Sequence, residues 1–444
     1  MDLVAAGVIG MLIFFIIMFL GFNIPFAMLF GGAVGLVLIS GPAVASTMIA
    51  TEFVNTFSSY TLTVAPLFGL MGFVASFSGI GEKIFGCIKT YLGHKRGGLA
   101  HAVQAANVGL GAITGSALAA NATFTAVAYP EMRKEGYAAE FSAMVIINGG
   151  IIAVLLPPST TKVLYGMMTE TSITHLFMAG FLPALLALIL NLLTIWVILK
   201  VRPDLASVSR KCSWKERWEA TKRGGIIEIA IVFIISLGGM FTGFFTPTEA
   251  AAVGAFGMTI VAAVSRQLTW KKFTKALYQG LRLAAMYYFL LSSANVLGRM
   301  FVLTRIPMRL GSWVENLGLE PLAVVVVIIL IYLILGLFSE MNSMMLLTLP
   351  MFFPLVVDYA GFSPLWFCNI LILLMGIGAV TPPVGVAIFF QKGFIQPYDP
   401  DVPISSLFRA SYPWLIPRFA ATIILIFVPQ ITTILPHLFY GAPL

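Results

Sequence analysis

The sequence predicts an all-α polytopic membrane protein, built from two inverted repeats that each contain a re-entrant helical hairpin and a broken helix. Of its 444 residues, 59% are hydrophobic and 10% are charged, whereas an average soluble domain carries about 25% charged residues. A core of this size has no room for so much apolar surface, so lipid must be the solvent. Interruptions of the apolar runs recur at matching positions in the two halves, and this recurrence predicts the repeats.

Each half of the chain interrupts its apolar runs twice. The interruptions are a small, polar stretch followed by a double proline, namely 111–123 and Pro157-Pro158, then 336–345 and Pro382-Pro383. The distance from Ser116 to Pro157 is 41 residues, and the distance from Asn342 to Pro382 is 40. Paired interruptions of this kind are the sequence feature that best indicates the binding site of a secondary transporter.

The positive charge of the chain indicates its orientation. The net charge is +8, and seven of the 26 lysines and arginines lie within residues 202–223. Basic residues concentrate in cytoplasmic loops of membrane proteins, so this pattern favours a topological explanation over nucleic-acid binding. The same rule places the basic loop after the third apolar run in the cytoplasm and the N-terminus in the periplasm. The three cysteines have no disulfide or metal-ligand spacing.

The N-terminal part, residues 1–60, is predicted to hold two spans and an interfacial segment. Residues 4–41 are apolar throughout, with one break at 23–25. Because about 20 helical residues cross a bilayer, the run is long enough for two spans that meet at a short turn. Residues 42–60 are small and polar, and we expect them to lie at the interface.

The first repeat is predicted over residues 61–200 and begins with a span at about 61–80. Basic residues flank 98–129 on both sides, so both ends of this segment belong in the cytoplasm and the segment is a re-entrant hairpin with Gly115-Ser116 near its tip. Residues 141–168 are a broken span around Pro157-Pro158, and residues 175–200 form the return span.

Residues 201–282 are predicted to combine two spans with basic cytoplasmic loops. The spans lie at about 225–244 and 248–265, and Thr246 or Thr248 caps the second of them, with Glu249 complementing its N-terminal dipole. Residues 266–282 are basic and amphipathic, and we expect a loop on the cytoplasmic surface.

The second repeat is predicted over residues 283–408. It holds a span at about 283–303, a hairpin at 321–357 that turns at 339–343, and a broken span at 364–391. The last part, 409–444, contains one final span at about 411–436. The two hairpins point in opposite directions, and the chain has about ten full spans in all.

Broken helices expose groups that bind ions. The free carbonyls of a half-helix, with hydroxyl and amide oxygens, suit a small cation, and its free N–H end suits an anion. We therefore expect the polar residues of the interruptions to contact a substrate, and the candidates are Asn121, Thr123, Ser159 and Asn342. Close packing of small residues between helices is the alternative explanation of the first tip.

Two ionisable residues stand inside or beside the interruptions. Lys162 lies four residues after Pro158 in an apolar run and would neutralise a substrate carboxylate or else extend to the interface. Glu340 at the second tip would bind a cation or else pair within the protein. The chain has no HExxH pattern and no GxxxxGK[ST] pattern, so neither a membrane metalloprotease nor an ATPase is supported.

Six segments in this order resemble the large membrane subunit of the tripartite ATP-independent periplasmic (TRAP) transporters, over essentially the whole chain. The segments are SYTLTVAPLFGLMG at 59–72, Gly115-Ser116, PEMRKEGY at 130–137, Pro157-Pro158-Ser159, TPTEAAAVG at 246–254 and GAVTPPVG at 378–385. The resemblance implies an elevator-type transporter of the bacterial inner membrane that imports a carboxylate or other organic anion with sodium. It also implies a small membrane partner subunit and a periplasmic substrate-binding protein.

The resemblance further implies where sodium binds and which parts move. The implied sodium ligands are Ser59, Ser116 and the backbone around Asn148 and Gly149 in the first half, and Gly336, Gly376 and Thr381 in the second. Residues 61–200 and 283–408 would form the moving transport domain, and 1–60, 201–282 and 409–444 the scaffold. No organic cofactor and no enzymatic activity are expected.

Two other functions remain open from the sequence. One is a stand-alone ion-coupled carboxylate or ion transporter of the same hairpin architecture, which would lack the two partner proteins. The other is a membrane-embedded enzyme, for which Glu340 and Lys162 alone give little basis.

Overall fold

The computed structural model describes residues 2–92, 96–207, 213–223, 225–316, 318, 320–337 and 341–441. Regular structure within these ranges is entirely helical. The helices up to residue 201 are α1 (Leu3–Phe19), α2 (Ile24–Ser40), α3 (Pro42–Phe57), α4 (Val64–Phe77), α5 (Ile80–Leu92), α6 (Gly98–Thr114), α7 (Ala117–Lys134), α8 (Ala139–Ala153), α9 (Thr160–Thr169), α10 (Ile173–Met178) and α11 (Phe181–Val201).

The remaining helices complete the second half. They are α12 (Trp214–Arg223), α13 (Ile226–Phe233), α14 (Gly239–Phe241), α15 (Pro247–Val264), α16 (Trp270–Thr304), α17 (Ile306–Asn316), α18 (Pro321–Leu335), α19 (Met341–Phe353), α20 (Pro364–Gly378), α21 (Val386–Ile395), α22 (Ile404–Phe427) and α23 (Gln430–Tyr440). A π-helical segment joins α13 to α14, and another follows α19. The predicted cap at the start of α15 is confirmed for Thr246, whose side chain accepts from the Glu249 N–H in a capping box.

Fewer helices reach the length of a full span than the sequence analysis expects. Six in the described ranges are long and apolar enough to cross a bilayer, or seven if the bent pair Trp214–Lys222 and Ile226–Phe241 forms one span. The expectation of about ten full spans is therefore too high. The difference arises because α1 and α2 have 17 residues each, or about 26 Å, and because the broken spans divide into shorter helices.

Most of the segment 266–282 is not a loop. Residues 270–282 form the first part of α16, a continuous helix of 35 residues. Thr269 caps the helix by accepting from the Lys272 N–H, and Ala276 and Gly280 are buried four residues apart. The basic residues within 270–282 occupy exposed positions on either side of these two, so the amphipathic pattern of this segment belongs to a helix packed on one face.

Three of the four interruptions turn or break the helices where they are predicted, and the predicted turn of the second hairpin at 339–343 lies partly outside the described residues. The segment 98–129 is a helix–turn–helix, in which Gly115 ends α6 with a left-handed φ of 64° and Ser116 caps α7. Each double proline separates two helices, α8 from α9 and α20 from α21, and each contains a cis peptide bond.

The helices pack in two groups. Helices α1, α2 and α3 pack with α16, and α4 packs against both α15 and α16. The second group contains both hairpins and both breaks, in which α6, α7 and α8 pack together and α20 packs against α18 and α22. The final long helix, α22, contacts α8, α11 and α20.

An ion pair joins the two repeats at the end of α7. Arg133 Nε donates to Asp399 Oδ2 at 2.7 Å, and the Tyr129 hydroxyl donates to the same oxygen at 2.8 Å. The guanidinium of Arg133 lowers the pKa of the Asp399 carboxyl. Because Asp399 follows α21 and Arg133 lies in α7, this contact fixes the first hairpin against the second broken helix.

We expect Asp399→Asn to lower the apparent unfolding temperature at neutral pH, by an amount that corresponds to about 1 kcal/mol or less for a partly exposed pair. A carboxyl with a lowered folded-state pKa stabilises the protein above its unfolded pKa and loses this effect as the pH falls through the folded pKa. The difference between wild type and variant should thus be constant near neutrality and vanish in acid. The matched control is Asp401→Asn, because Asp401 is exposed and forms no ion pair within the described residues. A difference that grows in acid would contradict the prediction.

Candidate functional site

A cavity of about 60 Å³ lies between the two hairpins and the two breaks. Every one of these four elements contributes residues to its wall. The lining residues are Gly115, Ser116, Ala117, Leu118, Asn121, Ile151, Val154, Thr160, Thr161, Met341, Asn342, Ala379, Val386 and Ala387. Its described lining contains no lysine, arginine, aspartate or glutamate, so backbone groups and neutral polar side chains determine its electrostatics.

Three helices begin at this cavity, and the first described residues of a fourth, α19, also line it. The first two residues of α7, α9, α19 and α21, as their bounds are given above, all belong to its wall. The first N–H groups of a helix have no partner within the helix, and the macrodipole places positive potential at the same end. The convergence of the three N-termini of α7, α9 and α21 makes the cavity favourable for an anion although its described lining lacks a basic side chain.

Helix C-termini also reach the cavity. Gly115, Val154 and Ala379 are the residues that end α6, α8 and α20, and all three line the wall. The last carbonyls of a helix lack partners within the helix and are suitable ligands for a small cation, although the Gly115 and Ala379 carbonyls also accept from the N–H groups of Thr160 and Ala387. The same cavity therefore offers donors for an anion and oxygens for a cation, which is the arrangement that half-helices give in transporter sites.

Two adjacent threonines connect the elements around the cavity. Thr160 Oγ1 donates to the Gly115 carbonyl at 2.8 Å and accepts from the Tyr287 hydroxyl at 3.1 Å. Thr161 Oγ1 donates to Asn342 Oδ1 at 2.8 Å. These bonds join the first break to the tip of the first hairpin, to α16 and to the second hairpin.

Three of the predicted residues line the cavity, namely Ser116, Asn121 and Asn342. Ser116 caps α7, since its hydroxyl accepts from the Ala119 N–H at 3.4 Å. Asn121 is buried, and its Oδ1 accepts from Asn107 Nδ2 at 3.1 Å. The structure thus brings the polar tips of the two hairpins to one place.

The other predicted substrate residues point elsewhere. Thr123 Oγ1 donates to the Ala119 carbonyl of its own helix at 3.0 Å. Ser159 caps α9 and is buried. Lys162 is 0% exposed and does not line the cavity, because its ammonium donates to the Leu176 carbonyl and to Asn369 Oδ1, each at 3.0 Å.

The residues implied as sodium ligands lie around the ends of the broken helices. Asn148 Oδ1 and the Gly376 carbonyl both accept from the guanidinium of Arg418. Gly149 packs against Asn107, where an added Cβ would come within 2.9 Å of the Asn107 Cβ. Thr381 Oγ1 donates to the Ile377 carbonyl at 2.7 Å.

The remaining sodium candidates are placed as follows. Gly336 ends α18 and touches Gly378 of α20. Ser59 lines a separate groove with Thr61, Gly166 and Pro247, away from the lining of the cavity. Glu340 lies outside the described residues.

The sequence analysis missed Thr160, Thr161 and Arg418. The two threonines directly follow Pro157-Pro158-Ser159, so the first turn of the half-helix was available as a signal. Arg418 is the single charged residue of the predicted final span, 411–436. An ionisable residue inside a span is by itself a reason to suspect a function.

Comparisons with known proteins agree with these features. Residues 11–431 match the family model described as the tripartite ATP-independent periplasmic transporter, DctM component. The chain is 32% identical to the C4-dicarboxylate TRAP transporter large permease protein DctM of Pseudomonas aeruginosa, over 91% of this chain and 92% of that protein. It is 30% identical to the sialic acid TRAP transporter large permease protein SiaM of Vibrio cholerae, over 96% and 97% of the two chains.

A solved structure has a similar fold. The Alcanivorax borkumensis YdaH transporter superposes with a TM-score of 0.61 at 14% identity, covering 89% of this chain and 90% of that one. At this low identity the match shows a shared fold and carries no information about the substrate.

Proposed function

The chain belongs to the DctM-component family of tripartite ATP-independent periplasmic transporters, and on this premise we propose that it is the large permease subunit of a sodium-coupled importer of an organic acid. Its relatives are transporter permeases, so it is a transport protein and not an enzyme. The proposed location is the bacterial inner membrane, consistent with its multi-pass helical fold. The proposed partners are a small membrane subunit and a periplasmic substrate-binding protein.

The observation that carries the proposal is the convergence of the N-termini of α7, α9 and α21 on one cavity without charged side chains in its described lining. An organic acid brings its own negative charge, so the positive potential at these three helix ends binds it without a counter-ion. Neutral donors also release their ligand more readily than a buried lysine would, and release is required in each transport cycle. The two relatives described above are named for C4-dicarboxylates and sialic acid, both of them acids.

Sodium coupling is proposed from the carbonyl ends beside the same cavity. The C-terminal residues of α6, α8 and α20 supply oxygens, and the hydroxyls of Ser116 and Thr381 are the side chains within the two interruptions that would complete the ligand sets. Charge supports this proposal as well, because a sodium ion bound next to the anion would reduce the net charge that has to cross the membrane.

An elevator movement is proposed from the packing groups. The group with both hairpins and both breaks would carry the cavity across the membrane, and α1, α2, α3, α13, α15 and α16 would form the scaffold that contacts the small subunit. The hairpins would re-enter the bilayer from opposite sides. Irregular backbone at that depth would be tolerated because it packs against protein or lines a cavity.

The direct test is uptake by reconstituted vesicles. The chain would be inserted into the vesicles together with the small membrane subunit. The binding protein, loaded with a radiolabelled acid that it retains, would then be added outside. Uptake should require an inward sodium gradient and all three components. Uptake that is unchanged by omitting the other two proteins would instead support a stand-alone transporter. Uptake that a proton gradient drives equally well in sodium-free medium would contradict sodium coupling.

We expect Ser116→Ala and Thr381→Ala each to raise the sodium concentration that gives half-maximal uptake, by about 10-fold. The reason is the loss of one oxygen ligand, at a cost of roughly 1–2 kcal/mol. Thr123→Val is the matched control, since the Thr123 hydroxyl bonds to its own helix outside the cavity. An unchanged sodium response in both alanine variants would show that the cation sites are elsewhere.

A further inference from the structure

A buried arginine lies where the two broken helices meet. Arg418 of α22 is 4% exposed, and its Nη2 donates to Asn148 Oδ1 of α8 at 2.6 Å. Its Nη1 donates to the Gly376 carbonyl of α20. One side chain thus bonds to the C-terminal halves of both helices that precede the double prolines.

The partners of this arginine are neutral. No carboxylate pairs with Arg418 in the part of the chain that the structure describes, although a charge inside a spanning helix is costly when it is not compensated. The compensation comes from the ends of α8 and α20. Both helices direct their C-termini toward this point, and the macrodipole there favours a cation.

The third nitrogen of the guanidinium, Nε, has no hydrogen-bond partner among the described residues. Arg418 Nε is buried and has no hydrogen-bond acceptor, and Asn191 Oδ1 of α11 is buried and has no donor. Both residues line the same cavity of about 10 Å³, whose other walls are Ile151, Ile152, Ala187, Ile372, Leu373 and Pro417. A volume of roughly 10–15 Å³ holds one water molecule. An unpaired donor and an unpaired acceptor in one small cavity are therefore the surroundings of a single bridging water.

We propose that Arg418 is a positioning residue that, together with one buried water bridging its Nε–H to Asn191 Oδ1, holds the C-terminal ends of α8 and α20 in register. The guanidinium and the water then connect α8, α11, α20 and α22. Because Arg418 engages Asn148 Oδ1 and the Gly376 carbonyl directly, it leaves the neighbouring carbonyls of these turns for a transported cation.

The bonds of Arg418 also indicate with which group of helices α22 moves. Helix α22 is fixed to both broken helices by buried polar bonds, and it contacts α8, α11 and α20. It should therefore move with the cavity and not remain with the scaffold, to which the sequence analysis assigns residues 409–444.

The water bridge is tested by a double-mutant cycle on the apparent unfolding temperature of the purified full-length protein. Asn191→Leu fills the cavity and leaves Nε unpaired, and Arg418→Gln removes Nε. The two losses should be strongly non-additive, so that the double variant is no more than a few degrees below the worse single variant. Asn191→Asp keeps an acceptor for the water, so its unfolding temperature should lie close to that of the wild type and well above that of Asn191→Leu. Additive effects, or no rescue by Asp, would overturn the water bridge. This test does not depend on transport.

The positioning role is tested in the reconstituted complex and rests on the proposed function. Arg418→Lys keeps the charge but replaces the fork of two nitrogens, which bond separately to Asn148 and Gly376, by a single shorter-reaching ammonium. We expect the half-saturating sodium concentration to rise about 10-fold while the maximal rate changes less than threefold. A purely structural role would lower the maximal rate through loss of folded protein and leave half-saturation unchanged, which would contradict the proposal. Arg409→Lys, at an exposed position of the same helix, is the matched control.

The two tests separate the possible failures. If uptake by the wild-type complex does not depend on sodium, the proposed function fails, while the double-mutant cycle still decides whether Arg418 and Asn191 act together. If uptake depends on sodium but Arg418→Lys has normal half-saturation, the positioning role alone is wrong.

Discussion

Ala117→Asp is expected to abolish uptake of the organic acid while leaving the protein folded. Ala117 is the first residue of α7 and lines the cavity. A carboxylate about 5 Å from a bound carboxylate costs about 3 kcal/mol at an effective dielectric constant of 20, so uptake should fall about 100-fold. The same charge at a helix N-terminus is favourable for the helix. The variant should therefore unfold at the wild-type temperature or slightly above it.

Ala117→Asn is the matched control, because it adds a side chain of nearly the same size and shape without the charge. Uptake by the Asn variant should stay within about threefold to tenfold of wild type. The measurement is initial uptake by vesicles that contain equal amounts of folded protein, with unfolding temperatures recorded in parallel. Equal activity of the Asp and Asn variants would show that no anion binds near the start of α7.

Gly378→Ala is expected to destabilise the protein and to inactivate it. A Cβ added at Gly378 would lie 2.5 Å from the carbonyl carbon of Gly336 and 2.6 Å from its Cα. Both atoms are backbone, so α18 and α20 would have to separate. Overpacking of this kind costs typically 1–3 kcal/mol, and the separation would displace the end of the second broken helix. We expect a fall of several degrees in unfolding temperature and loss of uptake by at least about 10-fold.

Gly393→Ala supplies the comparison for this substitution. Gly393 lies in α21, and a Cβ there would meet no atom within 4 Å. This change should stabilise slightly, since alanine favours a helix by about 1 kcal/mol relative to glycine. If both variants unfold at the same temperature, the contact between Gly336 and Gly378 does not limit how closely α18 and α20 approach.

The turns and breaks could be predicted because their signals are local. Gly115 takes a left-handed conformation, Ser116 and Ser159 cap the helices that follow them, and each double proline ends a helix. These effects act within a few residues of the chain. The positions of both interruptions therefore follow from residue types alone, and the four elements that meet at the cavity follow from those positions.

The contacts between the elements could not be predicted in the same way. Arg418 bonds to Asn148, which is 270 residues away in the chain, and Thr161 bonds to Asn342, 181 residues away. Hydrophobic periodicity carries no information about such pairs. Lys162 shows the same limit, because its position in an apolar run suggests a substrate contact as readily as the buried bonds to Leu176 and Asn369 that the structure shows. The length of α16 was missed for a different reason, since its basic first part resembles a surface loop in composition.

The central claim is that an organic acid and sodium bind together at the cavity between the two breaks. The most direct measurement is the unfolding temperature of the purified protein with its small subunit, titrated with succinate and with sialic acid in sodium chloride and in potassium chloride of equal ionic strength. A ligand that binds the folded state raises this temperature by mass action. The account predicts a saturable rise with at least one of the two acids in sodium, little or no rise in potassium, and none in the Ala117→Asp variant. An equal rise in both salts, or a rise that persists in that variant, would contradict it.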